Sequence, residues 1–437
     1  MVPAEFLWNL AIDIPKSVVY LLEMPEKTPL LILSDAVSAT SGLARIARDL
    51  STRIHENLSD VYRLGVAGYG SSGSRKFPFP QYHLEGMSDW VIPSLPEIVR
   101  DFAGEEHCIC LFIWDLHRVS WFSQPERLGG ESLAKFPMLR DWLSKANIEK
   151  WIYAPIDASG PQDRLSLPLS LTAMGFDRLL AYGEFGEGVL RRSIGNEESD
   201  KRHLTHLPHG IDLGTFYERD RKTSRDSFFQ NTGAQTLLAM LGVNPGIKPI
   251  ADDETLVAIV GTNQNRKNWA LGLECCAILS QQMKIRVWAH IDTLERSWSL
   301  PSLLVDFGLL ENTVISTGYV SDEGMAIGYS ASDLSLGIGP EGFGFCIAES
   351  MACGTPCITG SYANGSALVP KEMQVVPVGF YYEGSYASKR PVYNPEDWAK
   401  RAEEWIGKRA SLDPQYDWNN NWTRWQLWFR NAAHPQC

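Results

Sequence analysis

Short apolar runs bounded by turn residues alternate with stretches of helical spacing, and this alternation is written into the chain twice. In the first pass, residues 29–34, 61–66, 108–114 and 178–182 read as strands, 151–157 as a strand followed by a turn, and 204–207 leads into Pro208-His-Gly-Ile-Asp. Residues 42–50, 95–102, 139–146 and 184–192 read as helices between them. Strands that alternate with helices predict a mostly parallel, doubly wound α/β sheet. The pattern blurs over residues 213–253. A charge run from Tyr217 to Asp226 reads there as a solvated face, and prolines and glycines follow, so a domain boundary belongs in this stretch. The alternation then restarts, with strands at 255–260, 284–289, 314–317, 334–338, 357–359 and 374–377, and helices at 269–282, 302–307, 323–330, 395–408 and 422–431. Two successive α/β domains are expected.

The bulk numbers fit that reading. The 437 residues are 44% hydrophobic and 21% charged, enough for two ordinary globular cores. A net charge of −12 weighs against a generally basic surface for nucleic acid or anionic lipid, though not against a local basic groove. No apolar run approaches the roughly 18 residues of a membrane span. The first residues carry neither a signal-peptide pattern nor a lipidation motif, so a cytoplasmic chain without stable membrane insertion is expected, with residues 1–25 as an N-terminal extension. The 8 cysteines form no paired ligand sets and no disulfide framework, which predicts buried free thiols.

The densest chemistry lies in residues 339–356, Gly-Pro-Glu-Gly-Phe-Gly-Phe-Cys-Ile-Ala-Glu-Ser-Met-Ala-Cys-Gly-Thr-Pro. Two glutamates, Glu341 and Glu349, flank a glycine-rich turn that enters a short helix. Gly342 and Gly344 let backbone approach a ligand closely. The free N–H groups near Phe345 form an anion site. Gly354 and Pro356 punctuate the end of the helix. Glu349 lies one turn inside among small and apolar residues, where a carboxylate needs partners. Sugar hydroxyls would serve, and so would backbone amides in a capped core helix.

Arg266 and Lys267 form the second feature. They precede a helix N-terminus, where the macrodipole disfavours cations. A diphosphate held between them and the helix accounts for both, as does a swing of both side chains into solvent. An anion site after one strand and a carboxylate-plus-glycine site after a later strand imply a ligand with phosphates and a polyol, which is a nucleotide sugar. In the first half, Asp115 and His117 follow one strand end and Asp157 another, where open α/β sheets bind ligands. His117 could line a cleft there, and a surface histidine is the plainer reading.

In this order, Pro208-His-Gly-Ile-Asp, Val260-Gly-Thr-Asn-Gln-Asn-Arg-Lys-Asn, Thr317-Gly-Tyr-Val-Ser-Asp-Glu and Glu341-Gly-Phe-Gly with Glu349 and Gly354-Thr-Pro resemble the retaining glycosyltransferases of family 4. The resemblance runs from about Leu31 to the C-terminus and is strongest in the second half. It implies the GT-B fold, in which two Rossmann-like domains face each other across a cleft. Residues 1–212 would be the acceptor-side domain, completed by a closing helix in 415–437, and residues 213–414 would bind the donor. The clustered Trp418, Trp422, Trp425 and Trp428 would pack that helix between domains.

The resemblance also implies roles. Arg266 and Lys267 would neutralise the donor diphosphate. Glu349 would accept from ribose hydroxyls, and Glu341 would hold the transferred sugar. Backbone at Gly342, Phe343, Gly344 and Phe345 would touch sugar and phosphate, with Gly261 lining the donor loop. Gly42 would let a first-domain loop approach the diphosphate, and His117 would lie near the sugar. Tyr319 and Val320 would meet the base through main chain. Asp115 and Asp157 are acceptor-side candidates, and the turn from Tyr153 through Pro155 to Asp157 would be an acceptor-side wall or an ordinary strand-end turn. Such enzymes need no metal and no cofactor beyond the nucleotide sugar.

The expected activity is transfer of a hexose from a UDP- or GDP-linked sugar to a hydroxyl. Competing readings are an epimerase or hydrolase of the same fold, a binding module that has lost activity, and a hydroxymethyl-pyrimidine DNA glycosyltransferase. The acceptor stays open among a glycan, a lipid-linked sugar, a protein and a modified DNA base. A membrane-linked acceptor would want a basic face, for which Arg45, Arg48 and Arg53 offer a modest one.

Overall fold

The computed structural model describes residues 27–70, 76–84, 90–243, 248–384 and 386–433, so the expected extension at 1–25 lies outside the described residues. Strands β1 (Thr28–Asp35), β2 (Tyr62–Tyr69), β3 (Gln81–Leu84), β4 (Cys108–Phe112), β5 (Ile148–Ala154), β6 (Arg178–Ala181) and β7 (Thr205–His206) build the first sheet. Their order is β3-β2-β1-β4-β5-β6-β7, and every neighbouring pair is parallel. The second sheet holds β8 (Thr255–Val260), β9 (Ile285–Ile291), β10 (Thr313–Thr317), β11 (Leu334–Gly337), β12 (Cys357–Gly360) and β13 (Gln374–Val375). Its order is β10-β9-β8-β11-β12-β13, again all parallel.

Both sheets thus wind outward in two directions from a central first strand, which opens a crevice at the strands' C-terminal ends. The central strands are covered on both faces. Leu30 to Leu33 in β1 and Leu256 to Ile259 in β8 are completely buried, as continuous apolar runs require in parallel sheets. The two-sheet α/β architecture is the expected GT-B fold.

The helices that matter to the site are α1 (Gly42–Asn57), α2 (Glu184–Ile194), α3 (Arg221–Thr232), α4 (Trp269–Ser280), α5 (Asp322–Ala331), α6 (Phe345–Ala352), α7 (Pro395–Trp405) and α8 (Trp418–Ala433). Ser41 caps α1 by accepting the Ala44 amide at 3.1 Å. Helix α6 starts from Gly344 at φ +109°, a conformation that side-chain-bearing residues rarely adopt.

The chain crosses between the two units twice, side by side. Ile211 N–H donates to Tyr416 O at 2.7 Å, and Trp418 N–H donates to Ile211 O at 3.1 Å. Helix α8 then lies on the first sheet. Trp425 meets Tyr153 edge-on at 5.0 Å, Trp428 meets Trp151 at 5.0 Å, and Tyr62 donates its hydroxyl to Phe429 O at 2.6 Å. Trp425 and Trp428 therefore pack against the first sheet, while Trp418 stands at the crossing against His209 with Trp422 beside it.

Three local features depart from the sequence reading. The charge run after Tyr217 is largely the helix α3, not a solvated face. Asp220 caps it, and Arg221 and Arg225 turn inward to Asp333 at 2.7 and 2.5 Å. Asp333 also accepts the Leu256 amide at 2.7 Å, so a carboxylate just before the central strand β11 recruits both cations. Strand β3 and an antiparallel hairpin, β14 (Gly379–Glu383) and β15 (Ser388–Val392), were not anticipated. Among the described residues all seven cysteines are free, and no helix is long and apolar enough to cross a membrane.

Candidate functional site

The loop after β8 and the loop after β11 meet at the crevice of the second sheet. Gly339 makes the contact possible, because a Cβ there would come within 2.6 Å of Arg266 O. Arg266 donates through Nη1 to Pro340 O at 2.8 Å. Lys267 donates through Nζ to Glu341 Oε1, and Arg266 Nη1 stands 3.6 Å from Glu341 Oε2. Lys267 is only 7% exposed, so its ammonium needs such a carboxylate. Its stem passes over Gly261, where a Cβ would sit 3.7 Å away. Neither cation swings into solvent.

Glu349 is 5% exposed on α6. Its partner comes from the other half of the molecule, since Arg45 on α1 donates through Nη1 to Glu349 Oε1. Burial pushes the Glu349 carboxyl above its ordinary value, and Arg45 opposes the rise. The Arg45 guanidinium lies over the Phe345 ring at 4.6 Å and faces Phe216 at 5.2 Å. A Cβ on Gly42 would stand 3.9 Å from the Phe345 ring. The first turns of α1 and α6 therefore abut across the cleft.

Behind them Asp49 holds His209, with Nε2 and Oδ2 3.2 Å apart. His209 is fully buried, and burial lowers it from 6.5 to about 4 against the pull of Asp49. Phe343 and Phe345 pack on its ring at 5.7 and 5.1 Å.

The wall contributed by the first sheet carries Asp157 and Asp115. Asp157 stands 3.3 Å from Arg266 Nε and 3.5 Å from Arg390 Nη1, which ties it to the loop after β8 and to β15. Partial loss of water raises the half-buried Asp115 carboxyl, and Arg118, with Nε at 3.4 Å, opposes that rise. His117 is exposed, with its ring 5.8 Å from Tyr386 in the hairpin turn. The β14–β15 hairpin closes this side. Arg390 pairs with Glu383 at 2.7 Å, Asn265 donates to Glu383 at 2.5 Å, and Lys389 reaches Asp163 at 2.9 Å. A second joint lies at Asn364, whose Nδ2 donates to Gly342 O at 2.6 Å while Oδ1 accepts the Phe185 amide at 3.1 Å.

Most of the expected residues are brought together. Arg266, Lys267, Gly261, Glu341 and Asp157 form one contiguous cluster, and Glu349, Phe345 and Gly42 form its neighbour. Gly342 packs on Pro155, where a Cβ would meet Pro155 Cβ at 3.1 Å. Tyr319 is 73% exposed, following Gly318 at φ +75°. Val320 is half-buried in the same loop, and Asp322 just beyond acts electrostatically on Arg45 and Glu349. Tyr153 is no cleft wall. It is fully buried and donates its hydroxyl to Leu207 O at 2.7 Å.

Sequence reasoning missed Arg45, Asp49, His209, Asn364, Glu383 and Arg390. Arg45 carried a signal, because a cation in a helix's first turn opposes the macrodipole, as at Arg266 and Lys267. It had been read as part of a basic face with Arg48 and Arg53. No such face forms, since Arg48 donates to Val37 O at 3.1 Å and Arg53 lies over Trp418 at 4.3 Å.

Comparison with known proteins bears on this arrangement. Residues 244–412 match the family model described as Glycosyl transferases group 1. Among curated proteins no match was found. Sucrose-phosphate synthase from Thermosynechococcus elongatus superposes with a TM-score of 0.59 at 14% identity, over 93% of this chain and 99% of that one. HepE from Anabaena, in complex with UDP and glucose, superposes with a TM-score of 0.56 at 13% identity, over 86% and 89%. The catalytic domain of starch synthase IV from Arabidopsis thaliana, bound to ADP and acarbose, gives 0.55 at 12% identity, over 94% and 100%. At these identities the likeness is one of fold.

Proposed function

We propose that the chain is a retaining, metal-independent glycosyltransferase of family 4 type that moves a hexose from a UDP- or GDP-linked sugar to a hydroxyl acceptor in the cytoplasm. One observation carries the reading: Lys267 and Arg266 converge on Glu341, one turn before the helix that holds the buried Glu349. A cation pair beside two carboxylates, on loops at the C-terminal ends of parallel strands, suits a ligand that joins a diphosphate to two polyols. The family match over 244–412 and the nucleotide-bound structural neighbours support a nucleotide-sugar donor.

In this reading Arg266 and Lys267 leave Glu341 for the diphosphate and stabilise the charge that develops as the C1–O bond to phosphate breaks. Glu341 then accepts from hydroxyls of the transferred sugar, and Glu349 accepts from the ribose. Amides at the start of α6 and the Gly42 turn meet the phosphates, and the loop at Tyr319 and Val320 meets the base. The acceptor hydroxyl attacks from the leaving-group side, and its proton passes to the departing diphosphate oxygen. His117, Asp115 and Asp157 line the acceptor side.

The test is product analysis. Incubation with UDP- and GDP-hexoses and a panel of glycan, lipid-linked, peptide and hydroxymethylated-DNA acceptors should yield one acceptor enlarged by a hexose, with the donor's anomeric configuration by NMR. An inverted product, or free hexose as the sole product whatever the acceptor, contradicts the proposal.

A further inference from the structure

The Arg45–Glu349 pair joins a cation to the carboxylate assigned above to the ribose hydroxyls. Arg45 holds Oε1 of Glu349, and the carboxylate is only 5% exposed, so two ribose hydroxyls gain full access to it only when Arg45 moves aside. A displaced Arg45 would leave a guanidinium walled by the Phe345 and Phe216 rings, offset by Asp49 Oδ2 at 3.9 Å from its Nε and by Asp322 beyond ion-pair distance. An unpaired charge in such a setting is costly, so displacement needs a replacement anion. The donor brings one. Its diphosphate would lie between the first turns of α1 and α6, and Arg45 belongs to the first of these and stacks on the leading residue of the second.

We propose that Arg45 is a donor-binding residue that exchanges partners, holding Glu349 until the ribose takes that carboxylate and then gripping the donor diphosphate. The exchange couples the two ends of the nucleotide. The base and ribose alone must break the Arg45–Glu349 pair with nothing to offer the arginine, whereas the diphosphate repays the break. The planar fork of arginine fits both a carboxylate and a diphosphate bidentately. The inference rests on the nucleotide-sugar reading.

Calorimetric titration of wild type and Arg45→Gln with UDP and uridine, and likewise with GDP and guanosine, tests it. Wild type should favour the diphosphate strongly over its nucleoside. Arg45→Gln should lose tenfold or more in diphosphate affinity while nucleoside affinity stays level or rises, because Glu349 is released. Arg45→Lys, which keeps the charge without the fork, should fall between them and guards against a folding defect in Arg45→Gln. Parallel loss for nucleoside and diphosphate overturns the exchange and leaves a structural role. A gain for both overturns the grip and leaves a simple latch. Failure of wild type to bind any nucleotide overturns the donor reading itself.

Discussion

Lys267 and Glu341 stand 74 positions apart in the chain and are bonded to each other at the crevice of the second sheet. Arg266 approaches the other oxygen of the same carboxylate at 3.6 Å. The cation pair that precedes α4 thus shares the first glutamate of the glycine-rich motif, with Asp157 as a second carboxylate on Arg266, and a diphosphate would compete for the same two cations. That relationship turns two ambiguous stretches of sequence into one site.

Lys267→Ala should lower donor-dependent transfer by about 10² to 10³ in kcat/KM, the usual loss when one positioned donor to a developing charge is removed. Stability should change far less, because Glu341 keeps Arg266 nearby. Steady-state kinetics beside urea denaturation check both. A large loss of stability with normal turnover in the remaining folded protein would reassign Lys267 to structure.

Glu349 is expected to read the ribose. Wild type should bind a 2′- or 3′-deoxy nucleoside diphosphate more weakly than the ribo form by about 1.5 to 3 kcal/mol, the range for hydrogen bonds to a charged group. Glu349→Gln should shrink that difference. Equal affinities of wild type for ribo and deoxy ligands would remove Glu349 from the ribose.

Asn364 ties Gly342 to Phe185 across the cleft. Asn364→Ala leaves a buried carbonyl and a buried-side amide without that partner and should cost about 1 to 3 kcal/mol in chemical denaturation. An unchanged midpoint would show that the joint adds nothing to stability.

His209 sets a pH dependence of stability. Its folded value is depressed from 6.5 to about 4, so the unfolded chain binds the extra proton first. Stability is complete above about 6.5 and falls as pH drops toward 4, by on the order of 3 kcal/mol from this group. His209→Gln should flatten the curve in that window. An unaltered slope in the variant would assign the acid sensitivity to other groups.

The sheets were legible because parallel strands buried on both faces write themselves as apolar runs, as at Leu30 to Leu33 and Leu256 to Ile259. The donor-side residues were legible because their local settings were awkward: cations ahead of a helix, a carboxylate among small residues. The hairpin was not, because its aromatic first strand lies largely exposed, without an alternation of apolar and polar residues, and Pro391 interrupts its second strand. It is held by pairs such as Lys389 with Asp163, which are 226 positions apart. Arg45 and Glu349 are 304 positions apart, and no local pattern encodes their meeting. The helix-terminus argument that singled out Arg266 applied equally to Arg45, and only the facing helix α6 shows what that arginine meets.

The most direct measurement is a thermal-shift titration of wild type and Lys267→Ala with UDP, GDP and ADP. One nucleoside diphosphate should raise the wild-type midpoint in a concentration-dependent way, by the equivalent of about 2.7 kcal/mol at a hundredfold excess over Kd. Lys267→Ala should require far more ligand for the same rise. No response of wild type to any of the three, or an identical response from the variant, would contradict the donor site described here.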